Sequence, residues 1–87
     1  MIAEEKESLR HAVLEILATR HPAALPTAGI ARRAQTMTDF KAEPADVEAA
    51  LALLKDKGLV RSQVDDLGSS TWWCATADGV LAFERKR

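Results

Sequence analysis

One stretch, LLKDKGLVRSQVDDLGSSTWWCATADG at residues 53–79, narrows the folds open to this chain more than any other. Val47, Ala50, Leu51 and Leu54 lead into it at i, i+3, i+4 and i+7, a stripe that predicts a helix over 44–57 with those four side chains facing the core. Pro44 suits the first position of that helix, where its fixed φ is already helical. Gly58 ends it, because glycine adopts the left-handed conformation at little cost. The chain then alternates apolar and polar from 59 to 64, with Val60, Ser62 and Val64 on one face of a strand. Asp65, Asp66, Gly68 and Ser69 have the side chains of a turn, and residues 71–75 return as a second strand. Thr76 is an N-cap for a final helix with Asp78 in its first turn. Val80, Leu81 and Phe83 are placed to dock that helix before the ERKR end frays into solvent.

The first half reads as two further helices. Leu9, Val13, Ile16 and Leu17 form one stripe at i, i+4, i+7 and i+8. Glu4, Glu5 and Glu7 suit the positive pole of that helix and Arg20 its negative pole. His21-Pro22 stops it, since the residue before a proline is pushed out of helical geometry, so the helix is predicted over about 3–20. HPAALP is a linker. Thr27 is placed to cap a short second helix whose buried side is Ile30, Ala31 and Ala34, small residues that let two helices cross closely. TMTDFKAE follows as a polar connection anchored by Met37 and Phe40.

Composition removes several function classes. Eighty-seven residues make one domain, spanning 1–87, large enough for a single core without staples. Twelve basic and thirteen acidic residues give a net charge of −1, so no surplus of charge announces a polyanionic or polycationic partner. The one cysteine, Cys74, forms no internal disulfide and joins two histidines in a poor metal set, so no metal and no cofactor is expected. No apolar run approaches the roughly 18 residues of a membrane span. MIAEEKES lacks the basic-then-apolar order of a signal peptide. A reducing cytoplasm is the expected setting.

Catalytic constellations are missing as well. Cys74 has no histidine or cation beside it in sequence to activate it, and reads as a half-buried strand residue. His11 lies on the side of the first helix and His21 in its stop, without metal-ligand spacing. Asp65-Asp66 is a turn former before it is an acid pair. The four glycines make no phosphate-cradling loop. The chain is not expected to be an enzyme.

Helix, helix, helix, hairpin, helix in this length resembles the winged helix-turn-helix superfamily of bacterial regulators. The residues that carry the resemblance are Val47, Leu51 and Leu54, then Gly58-Leu59-Val60, then Thr76 followed by Gly79, over about 8–84. In overall flavour the chain is also similar to small winged-helix proteins of bacterial prophages. The resemblance implies an α+β domain with a three-helix core, a two-stranded β wing and a short C-terminal helix. It also implies DNA binding, with the third helix in the major groove and the wing on the backbone.

The residues depart from that implication where base reading would occur. The solvent side of the third helix is predicted to be Ala45, Asp46, Glu48, Ala49, Ala52 and Lys55, poor in the long donors that reach base edges. The wing tip carries Asp65 and Asp66. Arg32, Arg33, Lys41, Lys55 and Arg61, with Lys57, remain as candidate phosphate contacts, which position a protein without specifying a sequence. The alternative is that they are the ordinary solvated charges of a balanced chain. Trp72 and Trp73 point to opposite faces of their strand. Trp73 is expected in the core and Trp72 outward, as an interface anchor for a partner protein or a second copy of the chain, unless its ring lies flat on the domain. Two readings follow: a regulatory module on double-stranded DNA with low or atypical sequence specificity, or a protein-interaction adaptor that leaves DNA alone.

Overall fold

A computed structural model describes residues 2–85 apart from Asp66 and Ser69. The elements run α1 (Ala3–Thr19), β1 (Leu25–Pro26), α2 (Thr27–Met37), α3 (Pro44–Asp56), β2 (Val60–Val64), β3 (Thr71–Ala75) and α4 (Ala77–Arg85). The architecture is α+β: helices around one core, with an antiparallel sheet on one side. Asp66 and Ser69 of the predicted turn, and Lys86 and Arg87 of the predicted fraying end, lie outside the described residues.

Helical periodicity becomes packing in a direct way. Leu9, Val13, Ile16 and Leu17 of α1 meet Ile30 and Ala34 of α2 and Val47, Ala50, Leu51 and Leu54 of α3, and Val60 and Ala75 close the core from the sheet. α1 packs against α2, α3, α4 and β3, so it is the axis of the domain. Each large apolar side chain removed from water contributes about 1.5–3 kcal/mol. Leu9, Val13, Leu17, Ile30, Val47 and Leu51 are the largest of those fully buried.

The sheet has three strands in the order β1-β3-β2: β2 and β3 are the two-stranded wing expected from the sequence, and β1 is an addition the sequence did not predict. The extra strand comes from the linker: Leu25 pairs with Trp73 and Pro26 with Trp72. A proline is tolerated there because β1 is an edge strand, whose outward N–H has no ladder partner to lose. On the other side β2 pairs with β3 in the register Val60↔Ala75, Arg61↔Cys74, Ser62↔Trp73. Val60 is buried, whereas Val64 is 61% exposed because the hairpin projects beyond the core.

Thr27 does not cap α2. Pro26 takes the N-cap position without a side-chain bond, and the Thr27 hydroxyl accepts the Trp73 indole N–H at 2.9 Å, tying the sheet to the start of α2. Thr76 does cap α4: its Oγ1 accepts the Gly79 N–H at 3.1 Å and donates to the Gly58 carbonyl at 2.7 Å. Gly58 has φ +76°, the left-handed conformation expected at the end of α3. One hydroxyl thus joins the end of one helix to the start of another. Thr76→Ala is expected to cost about 1–2 kcal/mol, measured by urea denaturation.

Two predicted anchors face water. Leu81 is 47% exposed and Ala82 packs on the core beside Val80 and Phe83. The stripe of α4 therefore runs through Gly79, Val80, Ala82 and Phe83, leaving Leu81 outside. Met37, in the last turn of α2, is exposed too, and Phe40, with Ala42, anchors that connection on the core.

Candidate nucleic-acid interface

α2, the connection after it, α3 and the β2–β3 hairpin form the part of the molecule that the sequence nominates for DNA. The burial of Ile30 and Ala34 turns Arg32 outward and leaves Arg33 half-buried. Gln35 then organises the connection, a role with no signal in the sequence. Its Nε2 donates to the Phe40 carbonyl at 2.9 Å, and its Oε1 accepts the Ala42 N–H at 3.0 Å. Thr38 adds bonds from its hydroxyl to the Ala34 and Phe40 carbonyls, each at 3.2 Å. The connection is held from both ends, which fixes the angle at which α3 departs.

α3 presents its outer side as the helical count requires. Val47, Ala50, Leu51 and Leu54 are buried, and Ala45, Glu48, Ala49, Ala52 and Lys55 are exposed. Asp46 differs from its neighbours. It is half-buried, and its Oδ2 accepts the Glu43 N–H at 2.9 Å, so this carboxylate satisfies an orphan donor at the helix start.

The five candidate cations fall into two groups. Lys41 pairs with Glu43 at 3.5 Å, both well exposed, an ion pair worth little in water. Lys55 Nζ donates to Ser62 Oγ at 2.9 Å, linking the last turn of α3 to β2. Arg61 Nε donates to Cys74 Sγ at 3.1 Å across the strand pair. That bond, with the charge attraction that accompanies it, holds the guanidinium above its ordinary pKa. By contrast, Arg32 and Arg33 hold no ion pair or side-chain hydrogen bond among the described residues. Of the five they are the uncommitted ones; Lys57, at the end of α3, is exposed as well.

Cys74 is 3% exposed, more buried than its expected half-burial. The cation missing from its sequence neighbourhood arrives through strand register, as Arg61. Trp72 and Trp73 face opposite ways as predicted, with Trp73 packed on the core. Trp72 is half-buried, and its indole N–H is enclosed without an acceptor among the described residues. Both histidines contact the fold: His11 lies 6.3 Å from the Phe83 ring, and His21 Nδ1 donates to the Ala75 carbonyl at 3.0 Å. No group of three or more His, Cys, Asp or Glu among the described residues is placed to hold a metal. No helix there is long and apolar enough to cross a membrane.

The wing tip is acidic and apolar. Leu67 is 89% exposed and Asp65 lies two residues before it. Asp66, the other predicted acid of the tip, lies outside the described residues.

No protein-family model matches the sequence, and no curated protein matches it. Solved structures do. A MarR-family transcriptional regulator from Silicibacter pomeroyi superposes with a TM-score of 0.74 at 27% identity, over 90% of this chain and 47% of that one. Apo ZitR of Lactococcus lactis, a C30AH42A mutant, gives 0.73 at 25% identity over 97% and 58%. MepR of S. aureus, solved as a DNA complex, gives 0.77 at 20% identity over 95% and 64%. The chain spans about half the length of the first two. It carries the winged helix-turn-helix fold, and its structural neighbours are MarR-family winged-helix transcriptional regulators.

Proposed function

We propose that this chain is a non-enzymatic DNA-binding regulatory module of the cytoplasm, working without metal or cofactor. α3 enters the major groove, Arg32 and Arg33 neutralise phosphates, and base readout is atypical for want of long donors on α3. The observation that carries this reading is the outer side of α3. It lies open to solvent in a fold whose neighbours are transcriptional regulators, one of them solved with DNA. A homodimer suits the role, since two-fold protein symmetry matches paired half-sites. The test is fluorescence anisotropy of the full chain on a labelled random duplex, titrated with salt. Affinity that falls steeply as salt rises supports the reading. Absence of binding at low salt removes it.

A second reading, a protein-interaction adaptor, draws on the hairpin. Its tip offers Leu67 and Val64 to solvent next to Asp65, where a phosphate contact would call for a cation. On that reading Trp72→Ala abolishes association with a protein partner or a second copy while the fold persists, and substitutions at Arg32 and Arg33 have no effect on it.

A further inference from the structure

We propose that Glu48 is the base-reading side chain of α3 and that it selects cytosine. The inference rests on the DNA-binding reading above and names what that surface recognises. Glu48 is exposed and holds no ion pair or side-chain hydrogen bond among the described residues. Of the other polar side chains on the helix, Asp46 accepts the Glu43 N–H and Lys55 donates to Ser62 on β2, while Asp56 is exposed in the last turn, at the end away from Glu48. The exposed positions flanking it, Ala45, Ala49 and Ala52, are short enough to let the helix sink toward the groove floor. A two-methylene carboxylate then reaches the base edges while the alanines do not.

A carboxylate accepts hydrogen bonds and donates none. In the major groove, guanine shows two acceptors, thymine an acceptor and a methyl group, and adenine a donor beside the N7 acceptor. Cytosine alone shows a donor, its N4 amine, with no acceptor on the same base edge. Glu48 is therefore best matched at cytosine: guanine and thymine offer it no donor, and adenine sets its donor beside the repelling N7 lone pair. The negative charge that weakens attraction to phosphates in general becomes a filter, because a carboxylate desolvated in the groove without a donor is penalised.

The experiment is selection of binding sites from a random duplex library by the full-length wild-type chain and by Glu48→Gln and Glu48→Ala, at one fixed salt concentration. Wild type is expected to enrich a cytosine at one fixed position. Glu48→Gln moves the preference there to adenine, because a carboxamide pairs with N6 and N7 together. Glu48→Ala loses the preference at that position, with about tenfold weaker discrimination between the cytosine site and its substituted versions. If wild type enriches no such cytosine, or both variants enrich the same site as wild type, the proposal is overturned while the DNA-binding reading stands. If wild type binds no duplex at low salt, both fall together.

Discussion

Gly79→Ala is expected to lower stability by about 2 kcal/mol and the melting temperature by about 10 °C, against the usual direction for that substitution. In an exposed helix, alanine is favoured over glycine by about 1 kcal/mol. Gly79 lies in the first turn of α4, which crosses the junction of α3 and β2. The Leu59 carbonyl there accepts the Thr76 N–H at 3.0 Å, and a Cβ on Gly79 would collide with that same carbonyl oxygen. The obstacle is backbone, so no side-chain rotation relieves it, and either α4 lifts or the junction shifts. Gly29→Ala is the control with opposite sign. A Cβ there meets its nearest atoms, on Arg33 and Pro26, at 3.5 Å, ordinary van der Waals spacing within a helix. It should be neutral or stabilising by up to about 1 kcal/mol. Thermal and urea unfolding of the two variants side by side check the pair, and equal effects would contradict the placement of α4.

The double variant Arg32→Ala, Arg33→Ala is expected to weaken binding to random duplex DNA by about tenfold or more at low salt. The slope of log affinity against log salt should fall by about two, one for each phosphate that is no longer neutralised. The weakening should be even across sequences, because phosphate contacts position the protein and specify nothing. These two cations differ from Lys41, Lys55 and Arg61, each of which has a side-chain partner within the domain. Replacing Lys41 should therefore change the salt slope less than replacing Arg32. Circular dichroism should be unchanged, since Arg32 is exposed and neither arginine side chain is hydrogen-bonded to the core.

What the sequence made legible was local. The four buried positions of α3, the left-handed Gly58, the Thr76 cap and the bounds of β3 each follow from a period or a single capping residue, and all are seen in the structure. What stayed hidden depends on pairings between distant residues. β1 is two residues long with a proline in it, too short to show alternation, and exists because β3 offers it an edge. Thr27 has the chemistry of a cap, yet a tryptophan 46 residues away claims its hydroxyl. Arg61 and Cys74 meet through strand register, 13 residues apart in sequence. On the candidate interface, the exposed side of α3 was legible from periodicity. Three things were not: Gln35 as the brace of the α2–α3 connection, Asp46 as a cap, and the contrast between free and engaged cations, because each depends on where a long side chain lands.

Whether DNA sits on α3 is read from NMR chemical-shift mapping of the uniformly 15N-labelled full chain, 9.5 kDa, with unlabelled duplex DNA added. A duplex seated on α3 and α2 perturbs amides on the outer side of α3 at Ala45, Glu48, Ala49 and Ala52, and on α2 at Arg32 and Arg33, with the core positions of α1 unmoved. Shifts confined to Trp72 and the hairpin tip, or no shifts at low salt, would contradict it.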